Sequence, residues 1–193
     1  EKNDGVISYM TAVPVATFAG LVFGAIETGA FALFPVYGIR NGIPDTSAAL
    51  LISVVVAGNI VSQIPIGWLS DHTDRRNLLL LCGVIGVVGA LAMPFTMGVP
   101  AAFNIVLFIW GGFTGGLYTV GLAHLGARYT GHDLANANAA FIMLYSVGLI
   151  VGPPFVGAGM DVFGPHGFAW ALAAMLGAYS VLVAMRIMRR QTA

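Results

Sequence analysis

Charge is what this sequence has least of. Eight of its 193 residues are Lys or Arg and eight are Asp or Glu, 8% in all, against about 25% in an ordinary soluble domain. So few charges cannot coat a 20.1 kDa globule, which excludes a water-soluble domain. A formal net charge of 0, with no basic stripe before the last few residues, excludes a nucleic-acid-binding module. A hydrophobic content of 58% excludes disorder. The single cysteine, Cys82, excludes a disulfide framework and a cysteine-based metal cluster. No Gly-x-Ser-x-Gly elbow, His-Glu-x-x-His or intramembrane Asp pair occurs, so the machinery of an intramembrane enzyme is missing, and no cofactor or metal is implied. The ten-residue alternation that barrel strands require is absent too. What is left is an all-α integral membrane protein, in keeping with a mean hydropathy of +0.89.

The gaps between charges locate the helices. Residues 5–39 hold one charge, Glu27, and residues 46–70, 77–127, 134–160 and 162–185 hold none. A hydrocarbon core of about 30 Å needs roughly 20 apolar helical residues, so the gap from Asn77 to Ala127 accommodates two spans, with Pro94, Gly98 and Pro100 supplying the turn. Six transmembrane helices result, at 12–37, 48–69, 78–95, 102–124, 134–158 and 168–186, in a single six-helix domain over 1–193. Asp45, Ser47 and Asp133 precede apolar stretches and read as N-caps.

Basic residues orient the bundle. Lys2, Arg75, Arg76, Arg128, Arg186, Arg189 and Arg190 fall on the termini and even loops, and only Arg40 on the odd loops. The excess, seven against one, places both termini in the cytoplasm. The chain starts with Glu1 instead of Met, and its first apolar stretch is too long and wrongly flanked for a signal peptide. Both points lead to the expectation that residues upstream are missing.

Polar side chains are costly inside a bilayer, so their positions carry information. The third helix has no strongly polar side chain and the sixth has only Tyr179 and Ser180. The first has Thr17, Glu27 and Thr28; the second Ser53, Asn59, Ser62 and Gln63; the fourth Asn104, Thr114, Tyr118 and Thr119; the fifth Asn136, Asn138, Tyr145 and Ser146. These four helices are expected to surround a polar interior, with the third and sixth outside against lipid. At about 1.5 Å of rise per residue, Glu27, Asn59 and Tyr145 all fall near the midplane. Asn59 and Gln63 share a helix face that Gly67 continues. No basic residue at comparable depth offsets Glu27. A carboxyl there, able to gain and lose a proton, suits proton coupling or cation binding; its alternative role is a permanently protonated link between helices. His124, at the inner end of the fourth helix, is explained by its interfacial position.

Small residues and prolines complete the pattern. Gly20-x3-Gly24 and Gly148-x3-Gly152 allow close helix approach. Pro65, Pro153 and Pro154 each remove a helical hydrogen bond and invite a bend.

At the second loop, Gly67-Trp68-Leu69-Ser70-Asp71-His72-Thr73-Asp74-Arg75-Arg76 resembles the signature Gly-x-Leu-(Ala/Ser)-Asp-(basic)-x-Gly-(basic)-(basic) of the major facilitator superfamily. Gly67, Leu69, Ser70, Asp71, Arg75 and Arg76 match, whereas His72 and Asp74 depart from the family's basic residue and glycine. Gly148-x3-Gly152-Pro153-Pro154-x2-Gly157 in the fifth helix resembles a Gly-Pro motif that the family associates with antiporters. Phe34-Pro35-Val36-Tyr37-Gly38 together with the loop signature is similar to the C-terminal half of a bacterial member.

The resemblance implies one six-helix half of a twelve-helix protein in a bacterial plasma (inner) membrane, moving a small-molecule organic substrate by alternating access. With Glu27 it suggests a proton-coupled mechanism, and the Gly-Pro motif adds efflux or antiport as an option, while the sequence leaves direction and coupling ion open. Glu27, Asn59, Gln63, Thr114, Tyr118 and Tyr145 would be the coupling or lining residues, and Gly67, Asp71, Arg75 and Arg76 the cytoplasmic gate. Asp71 would accept from the N-terminal amides of a helix in the other half. The partners implied are substrate, protons, the lipid bilayer and either the N-terminal half or a second copy, with no nucleic acid. The alternative is a non-transporting scaffold or assembly subunit, or a homodimerising half.

Overall fold

A computed structural model describes residues 6–191 and the side chains of residues 8–189, so Lys2 and the side chain of Arg190 lie outside the described residues. Six long helices follow one short one: α1 Val6–Ala12, α2 Pro14–Arg40, α3 Asp45–His72, α4 Arg75–Thr96, α5 Pro100–Gly126, α6 Gly131–Phe163 and α7 Gly167–Gln191. The helices α2 to α7 are each long and apolar enough to cross a membrane, and no strand occurs among the described residues.

The ends differ from expectation for identifiable reasons. Five of the six long helices outrun their expected bounds at both ends, because polar and charged residues such as Asp45, His72 and Asp161 continue a helix once it leaves the apolar layer. Asp45 and Ser47 lie inside α3 behind its cap, Pro44, and Asp133 lies in the first turn of α6 behind Thr130. Asp133 instead accepts a hydrogen bond from the Tyr9 hydroxyl of α1 at 2.9 Å. The side-chain cap is Asp74, whose carboxylate accepts from the Arg76 amide at 2.8 Å, as expected of Asp at the N-cap. Pro94 lies inside α4, while Pro100 opens α5, where its missing N–H costs nothing.

The two most buried spans, α2 and α5, form the middle of the bundle. Close packing joins α2 to α6 and α5 to α3, while α4 and α7 pack on each other behind them. Glycine makes the first two pairings possible. A Cβ on Gly148 or Gly152 would overlap the carbonyl oxygens of Leu21 and Ala25, and one on Gly58 or Gly111 would overlap those of Phe108 and Val55. Backbone therefore meets backbone along both seams. The outer position expected for the sixth helix holds for one face only. In α7, Phe168, Leu172, Leu176, Tyr179 and Val183 are buried, and the Tyr179 hydroxyl donates to the Val15 carbonyl at 2.9 Å.

Threonines repair two of the hydrogen bonds that prolines remove. Pro14 cannot donate to the Met10 carbonyl, four residues back; the Thr17 hydroxyl donates to it at 3.0 Å. Pro153 leaves the Leu149 carbonyl without its helical donor, and the Thr28 hydroxyl of α2 lies 3.0 Å from it, sharing its one proton with the Gly24 carbonyl at 2.9 Å. Hydroxyl substitution of this kind is how prolines are tolerated within membrane helices. Thr28→Val keeps the shape and orphans that carbonyl. It is expected to cost about 0.6–1.7 kcal/mol, the range for such bonds in a bilayer, read as a lower thermal midpoint in detergent.

Candidate functional site

Two polar clusters occupy the middle of the bundle, one on each close-packed pair. On the α2–α6 pair, Tyr145 donates its hydroxyl to Glu27 Oε2 at 2.6 Å, across 118 positions of sequence. Both residues are half-buried. Phe23, one turn before Glu27, stacks on the Tyr145 ring at 6.1 Å between centroids and meets Tyr118 of α5 at 5.5 Å. Tyr118 and Tyr145 lie 5.6 Å apart, edge to face. The three rings thus form one cluster, of which Tyr145 holds the carboxylate. Phe23 escaped the sequence reading because an apolar ring in an apolar helix gives no signal.

On the α3–α5 pair, the Thr119 hydroxyl donates to Gln63 Oε1, and Gln63 Nε2 donates to Asn59 Oδ1 at 2.6 Å. Asn59 sits over Gly115, where any Cβ would collide with its amide. The Gly111-x3-Gly115 spacing was available in the sequence as a mark of this seam.

Glu27 and Asn59 line a common recess of about 30 Å³ with Phe23, Val55, Trp110 and Thr114. That is room for one or two waters, and among the described residues no basic side chain borders it. Thr114 donates its hydroxyl to the Trp110 carbonyl of its own helix at 2.8 Å, so it presents mainly its methyl group elsewhere. Tyr118 does not border the recess and meets the cluster through its ring alone.

At the opposite end from Arg40, the loop between α3 and α4 makes a compact local network. Arg75 donates to Asp71 Oδ1 at 3.2 Å and to Ser70 Oγ at 3.2 Å. The Asp71 side chain is 70% exposed, and a pair this open to solvent contributes little stability, so it is readily exchanged for another partner. His72 turns back on its own helix: its ring stacks on Trp68 at 4.4 Å and its Nδ1 lies 2.7 Å from the Trp68 carbonyl. Nothing approaches within 4 Å of a Cβ placed on Gly67, so no packing within these residues requires glycine there. In the Gly-Pro motif, Gly148 and Gly152 sit on the α2 seam and Pro153 faces Thr28 through the freed carbonyl. Pro154 is exposed, and Gly157 has only a Leu33 methyl at 4.0 Å.

Comparison with known proteins agrees with this architecture. The Major Facilitator Superfamily profile matches residues 16–193. The chain belongs to that superfamily. It is 35% identical over 144 residues to the uncharacterized MFS-type transporter YfkF of Bacillus subtilis, covering 73% of this chain and 36% of the relative. It is 30% identical over 173 residues to the uncharacterized MFS-type transporter YcaD of Escherichia coli, covering 89% of this chain and 42% of that one. This superfamily chain thus spans about two fifths or less of the curated relatives it matches. No solved structure matches it. With six membrane-spanning helices, it is a multi-pass membrane protein of a transporter superfamily, with relatives in bacteria.

Proposed function

We propose that this chain forms the C-terminal six-helix half of a proton-coupled secondary transporter for a small organic solute in a bacterial plasma membrane. The observation that carries the reading is the Glu27–Tyr145 hydrogen bond at 2.6 Å, beside a recess wide enough for water. Glu27 is the exchangeable site: its carboxyl takes a proton through the recess, and Tyr145 holds the carboxylate when the proton leaves. Asn59 and Thr114 line the recess with Glu27, while Gln63 holds Asn59 and Tyr118 packs on the Tyr145 ring. A recess of about 30 Å³ is too small for an organic solute, so the solute's room lies between this half and its mate. Asp71, Arg75, Arg76 and Gly67 form the cytoplasmic latch, with Gly67 kept small for a surface on the other half.

The test uses the complete protein in vesicles carrying a pH-sensitive dye in the lumen. Addition of the transported solute, found by screening a panel of organic ions, is expected to change luminal pH. Solute movement without any proton flux would overturn the coupling and leave only a facilitator.

A further inference from the structure

The end of the bundle opposite Arg40 carries a recess of about 290 Å³ whose wall includes Arg76, Arg128, Arg186, Arg189 and His124. These residues come from the start of α4, the end of α5 with the loop that follows it, and the end of α7, and the recess is closed by the start of α2. Orientation by positive charge requires only that basic residues sit on one side of the membrane. It does not require them to converge, and like charges around one recess repel. Among the described residues, no carboxylate lines this wall. Among the described residues, the guanidinium groups of Arg128 and Arg186 make no hydrogen bond or ion pair. The buried His124 Nε2 likewise lacks a partner. A second recess of about 320 Å³ adjoins the first, sharing Arg76, His124 and Arg128, and Asp74 on its far wall is the one carboxylate among its described lining residues.

We infer that this arginine-walled recess binds the phosphate of an anionic lipid headgroup. Planar guanidinium groups suit phosphate oxygens, which they engage through paired N–H donors, and the His124 nitrogen adds a further polar partner. Basic pockets between membrane helices recognise such headgroups. A lipid is favoured over a soluble phosphate by what adjoins the recess on the same helices. One turn deeper, at Leu182 on α7 and Phe18 on α2, an almost wholly apolar groove of about 380 Å³ begins and extends past Tyr179 to Phe155. A charged head beside a dry groove is the outline of an amphiphile.

Thermal unfolding of the complete protein in vesicles tests this. Mixing phosphatidylglycerol into phosphatidylcholine is expected to raise the wild-type midpoint by about 5 °C. In the Arg128→Gln/Arg186→Gln double variant the rise is expected to vanish, and in Arg40→Gln, at the other end, to persist. Equal rises in wild type and double variant would overturn the proposal, as would a loss in Arg40→Gln as large as in the double variant. Inorganic phosphate is the second arm. Arginine-dependent protection by phosphate in pure phosphatidylcholine, with no further gain from phosphatidylglycerol, would overturn the lipid as the source and assign the recess to a soluble phosphate.

Discussion

Glu27→Gln in the complete protein is expected to abolish solute accumulation driven by a pH gradient while leaving expression, helicity and thermal midpoint near wild type. The geometry explains why the two properties separate. Glutamine keeps the length of the side chain, and its Oε1 can still accept the Tyr145 hydroxyl now 2.6 Å from Glu27 Oε2. The Phe23, Tyr118 and Tyr145 rings therefore keep their places. What disappears is the exchangeable proton, and among the described residues no other carboxyl or histidine lines the recess to replace it. Exchange of solute down its own gradient should survive, because that needs the wall and not the charge. Vesicle uptake with and without an imposed pH gradient measures both. Undiminished gradient-driven accumulation in the variant would remove Glu27 from the coupling step.

Gly152→Val is expected to produce the largest loss of stability. A Cβ at Gly152 would overlap the Ala25 carbonyl oxygen and crowd the Ala25 backbone, and backbone cannot step aside as a side chain can. Overpacking costs typically about 1–3 kcal/mol, which for a domain of this size lowers the midpoint by about 2–12 °C. Gly157→Ala is the internal control. It lies five residues along the same helix, with its nearest neighbour a methyl at 4.0 Å. Alanine there should be neutral or gain up to about 1 kcal/mol of helix propensity. Differential scanning fluorimetry of the two variants separates close approach from motif membership. A Gly152→Val midpoint matching wild type would mean that α2 and α6 are not held backbone to backbone.

Much of this was legible in composition. Sixteen charges, almost all at helix ends, were enough to count and place six spans, and the polar side chains marked the helices that meet in the middle. The pairing of Glu27 with Tyr145 was not legible, since 118 residues separate them and their meeting depends on the rotation of α2 against α6. The Thr28–Leu149 bond depends on the same rotation and on seeing that Pro153 frees a carbonyl. The break at Val13 was also missed: α1 and α2 form one apolar stretch in sequence, and only Pro14 signals the division. Asp74 read as a departure from a glycine, whereas its φ of −65° shows an extended helix cap with no need of a left-handed residue.

The two glycine seams also constrain how these helices can move. Where a carbonyl fills the space a Cβ would take, neither helix can slide by a fraction of a turn without collision, so each pair travels as one stiff plank. Displacement at the arginine-rich end is then delivered undamped, along α2 with α6 and α3 with α5, to the opposite end of the bundle.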